Sequence, residues 1–314
     1  MPLATKKKPG RASETIAATV EPEPQPEDTE QPPALKVTAL IFSYNNAAGL
    51  RRCLTALDNS KDRQQIEVLV VDSGSSDESP TMDSEFPNIT ILRLPRYFGW
   101  TKALNIGTRT AAAELLLCLT PEVEVMPDTI PSLLARLESD PEAMAVCPLL
   151  LDTNRVPPRQ FFRLPVPATG EKIEPVDIDI SAESVAVEYA TFRALLVRKY
   201  FVRGINYLDE RYGDFGADAE LCYQIRRASR KILALPQVTA LFTPGPPRFA
   251  GARAITAADR THGTAVYFGK HYGFLRGLVF RLGAIVKALV TLRLSLFMLL
   301  ASFSKIDGSQ TAVL

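Results

Sequence analysis

Apolar positions along the chain follow two alternating patterns. Short, largely apolar runs at 35–42, 66–71, 89–94 and Leu115–Leu119 read as strands, the last buried on both faces. Between the first two, Leu50, Cys53, Leu54 and Leu57 recur at helical spacing, and 99–113 reads as a helix-like segment of about four turns. Strand, loop and helix repeated in this order imply a mostly parallel, right-handedly wound sheet with helices on both faces, an α/β fold. Farther on, 187–197 reads as strand material. An acidic, aromatic loop at 208–218 leads into a helix marked by Leu221, Cys222 and Ile225.

In such a sheet the loops 43–46, 72–77 and 120–124 share the carboxyl edge, where open α/β sheets bind ligands. Their chemistry is coherent. Ser43 and Asn45 offer hydrogen-bonding groups and Tyr44 a stacking face. Asp72, directly after a buried strand, is placed to accept from ribose hydroxyls or a base edge, and Gly74 with Ser75, Ser76 and Asp77 suits a tight turn into a helix N-cap. The run Leu115–Leu119 ends abruptly in Thr120-Pro121-Glu122, making Glu122 a candidate for metal or phosphate chemistry, although a solvated acidic turn after a core strand has the same appearance. Neither G-x-G-x-x-G nor G-x-x-x-x-G-K-[ST] occurs here, which removes the main support for a dinucleotide oxidoreductase or a P-loop NTPase.

With 314 residues, 46% of them hydrophobic and 23% charged, the chain can bury a large core. A net charge of +1 gives no case for nucleic acid. Cys53, Cys118, Cys147 and Cys222 lie far apart, three of them in apolar periodic segments, and read as reduced core residues of a cytosolic protein. No signal peptide is read at the start. Residues 1–34, with Lys6-Lys7-Lys8 and a Pro- and Glu-rich stretch, read as a disordered tail.

Taken together, Val71-Asp72-Ser73-Gly74-Ser75-Ser76-Asp77, Gly99 through Asn105 with Gly107, Leu119-Thr120-Pro121-Glu122, Leu208-Asp209-Glu210-Arg211 and Gly216-Ala217-Asp218-Ala219-Glu220-Leu221-Cys222 resemble the family 2 glycosyltransferases of GT-A fold, especially their rhamnosyltransferase-like branch. The resemblance covers roughly 35–273. It implies transfer of a sugar from a nucleotide-diphosphate donor to an acceptor hydroxyl with inversion. It also implies that Asp72 holds the nucleoside, that Asp77 closes the same loop, and that Asn105 is the asparagine of the following helix, with Lys102 an added candidate for phosphate contact. The family's D-x-D or N-P-D pattern falls on Thr120-Pro121-Glu122, so Glu122 takes the metal-binding position and Thr120 that of its partner; Glu124 lies outside it. Asp218 matches the catalytic base, in an Ala-Asp pair where the family has Glu-Asp.

The sequence departs from the pattern at Thr120, where a carboxylate often stands, and after the last core strand, where 238–245 lacks the family's histidine. His262 and His271 read as surface or packing residues. A divalent cation, Mg²⁺ or Mn²⁺, then rests on Glu122 alone, with Lys102 or Arg248 screening the diphosphate as the competing arrangement. A catalytically degenerate scaffold that binds a sugar nucleotide, a membrane or a partner is the rival reading.

The domain is expected at 35–245, followed by a helical extension at 246–314 with nine Lys or Arg residues against Asp259 and Asp307. On one helical wheel, Leu278, Leu282, Ile285, Leu289, Leu296, Leu300 and Phe303 share an arc opposite Arg276, Lys287, Thr291, Ser302 and Lys305, and Arg293 interrupts the arc. The uncharged stretch is shorter than the roughly 18 residues needed to span a bilayer. The expected partners are therefore the inner-membrane surface through 276–305, with a glycan or lipid-linked acceptor, or else the catalytic domain or a second subunit in a homo-oligomer. The expected location is cytoplasmic, peripheral on the membrane.

Overall fold

The computed structural model describes residues 34–170, 172–247 and 252–302. The tail at 1–33, Arg248, Phe303 and Lys305 lie outside them.

The strands are β1 (Val37–Ser43), β2 (Ile66–Asp72), β3 (Thr90–Arg93), β4 (Leu115–Leu119), β5 (Val123–Val125), β6 (Ala143–Leu151), β7 (Phe161–Phe162), β8 (Val185–Ala186), β9 (Tyr189–Ala190), β10 (Ala194–Arg198) and β11 (Lys231–Phe242). The helices are α1 (Ala47–Asp58), α2 (Trp100–Thr110), α3 (Thr129–Ser139), α4 (Lys199–Gly204), α5 (Ala217–Arg227), α6 (Ala252–His271), α7 (Phe274–Val290) and α8 (Leu294–Ala301). The main sheet runs β3-β2-β1-β4-β10-β6-β11-β5, with β8 beside β11, and β7 pairs with β9 in a small second sheet.

Its first half is parallel. Strand β1 pairs in parallel with both β2 and β4, bringing Ser43 opposite Asp72 and Ile41 opposite Leu119, so the three loops that follow these strands emerge on one edge. The second half is mixed, because β10 runs antiparallel to β4 and β6. The stretch read as one strand at 187–197 is in fact split. Residues Tyr189–Ala190 pair with β7, and the chain then enters the main sheet at Ala194, opposite Leu119. This reversal gives the carboxyl edge of β4 a neighbour that arrives from the opposite direction, carrying Thr191, Phe192 and Arg193 to it.

Two apolar layers sandwich the sheet. One joins Leu40, Val71, Trp100 and Leu116 to Leu221, Ile225, Tyr267 and Phe268; the other joins Ile41, Leu50, Leu54 and Leu119 to Ile130, Leu133 and Leu137. All four cysteines are free and buried, and burial pushes the Cys118 and Cys147 thiols up to about 12, as expected of inert core residues. Helix α6 contributes Ile255, Tyr267 and Phe268 to the first layer, so this part of the anticipated extension is built into the core.

The carboxyl-terminal extension is helical, but among the described residues α7 and α8 take the place of one continuous amphipathic helix. The chain breaks at Thr291 to Arg293, where Leu292 has φ +55°, Arg293 N donates to Ala288 O (2.9 Å) and Thr291 Oγ1 to Lys287 O (2.7 Å). These bonds satisfy carbonyls that a continuous helix would otherwise pair and let α8 fold back on α7. Arg281, buried, ties the hairpin together by donating to Leu300 O (2.9 Å) and to His262 Nδ1 (2.9 Å). That bond fixes the His262 tautomer, whose Nε2–H donates to Arg211 O (3.1 Å). Arg293 does not interrupt an apolar arc but stands exposed at the turn.

Candidate active site

A cleft of about 460 Å³ opens beyond the carboxyl end of β4. Thr120 and Glu122 form one wall, Thr191 to Arg193 another, Asp214, Phe215 and Asp218 a third, and Thr256 and Arg260 of α6 a fourth. Of the residues singled out in the sequence, the fold brings Thr120, Glu122 and Asp218 into this cleft.

Asp218 lies in the first turn of α5, which the chain enters through Gly216 at φ +102°, a backbone conformation suited to glycine. Its carboxylate accepts from Ala219 N (2.9 Å) and from Tyr189. Burial raises its pKa above the ordinary aspartate value, opposed by the Tyr189 hydrogen bond and the nearby Arg193 charge. Tyr189 is itself buried, which with the adjacent Asp218 keeps its phenol protonated well above the usual range. Asp218 is thus a carboxylate held in place by a neutral donor and poised to accept a proton.

Glu122 is oriented from across the edge. Asn46, the N-cap of α1, accepts from Gly49 N (3.2 Å) with its oxygen and donates from Nδ2 to Glu122 Oε1 (3.1 Å). Gly245 lies against the same pair: a Cβ there would sit 2.7 Å from both Glu122 Oε1 and Asn46 Nδ2. Thr120 Oγ1 is buried and has no hydrogen-bond partner. Glu124, by contrast, points to the surface and pairs with Arg52 (3.1 Å).

Arg193 is the main charged residue of the cleft that the sequence reading did not single out. Its guanidinium stacks on Phe242, 4.5 Å from the ring centre, within electrostatic reach of Glu122 and Asp218. Burial pulls its pKa down and the two carboxylates oppose that pull. Arg260 stacks on Phe215 at 5.0 Å on the opposite wall. No local motif marks Arg193; the only signal is its position one residue before the apolar strand β10, whose antiparallel pairing sets it beside Thr120, with Thr120 N donating to Arg193 O (3.1 Å).

The other candidates form a hydrogen-bonded shelf at the ends of β1 and β2. Asp72 is buried; its carboxylate accepts from Ser75 Oγ (2.5 Å) and Ser75 N (3.1 Å), and burial raises its pKa against those bonds. Asn45 Oδ1 accepts from Ser76 N (2.8 Å) while Asn45 N donates to Ser75 Oγ (2.9 Å). Asp77 caps two segments, accepting from Ala47 N (2.8 Å) and Ser79 N (3.0 Å). The Ser43 hydroxyl is buried and has no hydrogen-bond partner. Tyr44 packs edge-on to Tyr97 at 4.7 Å, and Tyr97 donates to Asp214 (2.6 Å), so the shelf and the cleft are linked through one aromatic contact.

Two further candidates make other contacts. Asn105 is buried, and its carboxamide clamps the 208–210 loop, donating to Leu208 O (2.8 Å) and accepting from Leu208 N (3.0 Å). Lys102 lies over the Phe98 ring at 4.7 Å. The loop bearing Asp214 is held by α6, where Asp259 accepts from Asp214 N (2.7 Å) and Phe215 N (3.1 Å). Asp214 in turn accepts from Trp100 N (2.9 Å), at the start of α2.

Residues 38–173 match the family model for Glycosyl transferase family 2. The chain is 29% identical over 114 residues to an undecaprenyl-phosphate 4-deoxy-4-formamido-L-arabinose transferase of Klebsiella pneumoniae, a match covering 34% of this chain and 35% of that protein. It therefore spans about a third of the length of such curated relatives. Among solved structures it is similar to GalNAc-T7 with UDP, GalNAc and Mn²⁺ (TM-score 0.59, 16% identity, 74% of this chain and 47% of that one). It is also similar to a Pyrobaculum calidifontis mannosyltransferase in complex with GDP-Man and Mn²⁺ (0.53, 16%, 86% and 85%) and to S. aureus TarS 1-349 (0.52, 16%, 81% and 77%). These likenesses show a GT-A fold.

Proposed function

We infer that this chain is a family 2 glycosyltransferase that moves a sugar from a nucleotide-diphosphate donor to an acceptor hydroxyl, with inversion at the anomeric carbon. The observation that carries this reading is the convergence of Asp218, Glu122 and Arg193 on one cleft at the carboxyl edge of the sheet. Asp218 takes the proton from the acceptor hydroxyl. The resulting oxygen attacks the anomeric carbon from the face opposite the diphosphate, the carbon–oxygen bond to the diphosphate breaks, and the nucleoside diphosphate leaves with that electron pair. Arg193 and Arg260 supply fixed positive charge for the leaving group, and Tyr189 keeps Asp218 oriented. The nucleoside lies on the shelf of Ser43, Tyr44, Asn45 and Asp72, which Asp77 closes.

Among the described residues, no group of three or more His, Cys, Asp or Glu side chains is arranged to hold a metal ion. A divalent cation bound chiefly by substrate phosphates and water still fits here, held by Glu122 with the unpartnered Thr120 hydroxyl beside it. When bound, it would screen the diphosphate charge. Arg193 does part of that work without it, so the expected dependence on Mg²⁺ or Mn²⁺ is partial.

The acceptor is lipid-linked or a growing polysaccharide, a reading supported by the undecaprenyl-phosphate named for the Klebsiella relative. The alternative, a degenerate scaffold that has lost turnover, takes its support from Thr120 standing where a second carboxylate would complete the metal site.

Thermal unfolding with UDP-, GDP- and dTDP-sugars, with and without Mn²⁺, tests the donor. A matching nucleotide at a hundredfold excess over its Kd stabilises by about 2.7 kcal/mol. The absence of a shift with every nucleotide would sink the enzyme reading, and a shift without turnover would favour the degenerate scaffold.

Gly245→Ala is expected to lower Tm only modestly, by no more than the loss of one helix cap (about 1 kcal/mol), since the added methyl meets the side chains of Glu122 and of Asn46, the α1 cap. It should nonetheless lower kcat/KM by on the order of 10- to 100-fold by displacing Glu122. Steady-state kinetics beside a melting curve separates the two effects.

A further inference from the structure

Helix α7 turns its large apolar side chains outward. Leu275, Val279, Leu282, Val286 and Val290 are 47–75% exposed, and Leu292 at the turn is 79% exposed. Their spacing places them on one side of the helix. The opposite side is used up by close packing: a Cβ on Gly277 would lie 2.5 Å from Ala265 O of α6, and Gly277, Arg281 and Ala288 are the buried residues of α7. Leu294 and Met298 of α8, 62% and 67% exposed, add apolar surface on the same hairpin. A continuous apolar surface of this size marks an interaction site.

Charge identifies what covers it. Between Arg260 and Ser302 the sequence contains no Asp or Glu, while Arg276 and Lys287 of α7 and Arg293 at the turn are exposed. A second copy of this face would set these cations against cations, with no carboxylate of its own hairpin to meet them. Anionic lipid headgroups would meet them directly. The helices, of 17 and 8 residues, are too short to cross a bilayer but suited to lie on one. A groove of about 370 Å³ between Pro167, Phe268 and Phe280 opens onto this face through Leu275, Arg276 and Val279. Gly170 of the loop beside it packs toward Phe280, and the ends of that loop, Phe162 and Ile173, line the catalytic cleft.

We propose that the α7–α8 hairpin docks flat on an anionic bilayer, its apolar face in the acyl region and Arg276, Lys287 and Arg293 at headgroup level. Docking of this kind requires nothing of the cleft's chemistry. It sets the apolar groove against the lipid, one loop from the cleft.

The test is cosedimentation of the full chain with vesicles of phosphatidylcholine alone or mixed with phosphatidylglycerol. Binding to the mixed vesicles is expected, weaker by on the order of 100-fold without the anionic lipid and progressively lost as salt rises. Val279→Glu with Val286→Glu should abolish binding, and Lys287→Glu with Arg293→Glu should weaken it by on the order of 10-fold or more, each with an unchanged Tm because the sites are exposed. Sedimentation velocity supplies the opposing outcome. A stable dimer that Val286→Glu converts to monomer, or equal binding to both vesicle types, would overturn the proposal, as would no binding to either.

Discussion

Asp218→Asn is expected to lower kcat by about 10²- to 10⁴-fold, the range a positioned general base contributes, with little change in donor affinity. The substitution keeps the shape of the side chain and its place at the start of α5 but removes the group that takes the acceptor's proton. Because burial raises the Asp218 pKa, the acid limb of the wild-type rate profile should lie above that of an ordinary aspartate. Stability should move in the opposite sense. A carboxyl whose folded pKa is raised binds its proton more tightly in the folded state, so its contribution falls as pH rises from the ordinary value through the raised one. Asp218→Asn therefore loses activity while its Tm at neutral pH stays level or increases. Turnover that survived the substitution would remove Asp218 as the base, and a large drop in Tm would assign it a structural part instead.

The second large effect concerns Glu220, two residues along the same helix and facing inward. It accepts from Tyr212 Oη (3.0 Å) and Gln224 Nε2 (2.8 Å), and it lies 2.5 Å from His271 Nε2 and 2.8 Å from Lys270 Nζ, joining α5 to α6. Burial alone would raise its pKa, but the hydrogen bonds from His271, Gln224 and Lys270 outweigh it and hold the carboxyl at about 2. A depressed carboxyl stabilises the fold above its unfolded value near 4.5, and that contribution is lost as pH falls toward 2. Glu220→Ala leaves several buried polar groups without their partner and is expected to cost roughly 3–5 kcal/mol at neutral pH. That corresponds to a fall in Tm on the order of 10 °C. Urea denaturation at neutral and acidic pH measures it: the gap between wild type and variant should narrow as pH drops below the usual glutamate range. A gap independent of pH would mean that packing, and not the ionised carboxylate, supplies the stability.

Both residues belong to a stretch whose family pattern is visible in the sequence, yet their roles diverge. Asp218 and Glu220 lie two residues apart at a helix start, and beyond the resemblance that singles out Asp218, nothing local sends one to a cleft and the other to a buried network. The partners decide that division. Tyr189 reaches Asp218 from the small second sheet, and His271 and Lys270 reach Glu220 from the last turn of α6, about fifty residues downstream. In the same way Asn105, expected at the site by resemblance, is occupied by Leu208, because the 208–210 loop returns over α2.

What the sequence determines by itself is local in origin. Alternating apolar runs and helical periodicities specify β1 to β4 with α1 and α2, and that order places Ser43, Asp72 and Thr120 at the edge of one parallel sheet. Tertiary structure alone decides what needs two distant segments to meet: the reversal of β10 that brings Arg193 beside Thr120, the Asn46 amide that aims Glu122, and the Asp259 cap that holds the Asp214 loop. It also decides which face of α7 is covered. Large apolar residues stand on several sides of that helix, so periodicity alone does not say which of them is covered. Close approach chooses: Gly277 and Ala288 let α7 pack closely, and Leu275, Val279, Leu282, Val286 and Val290 are left outside.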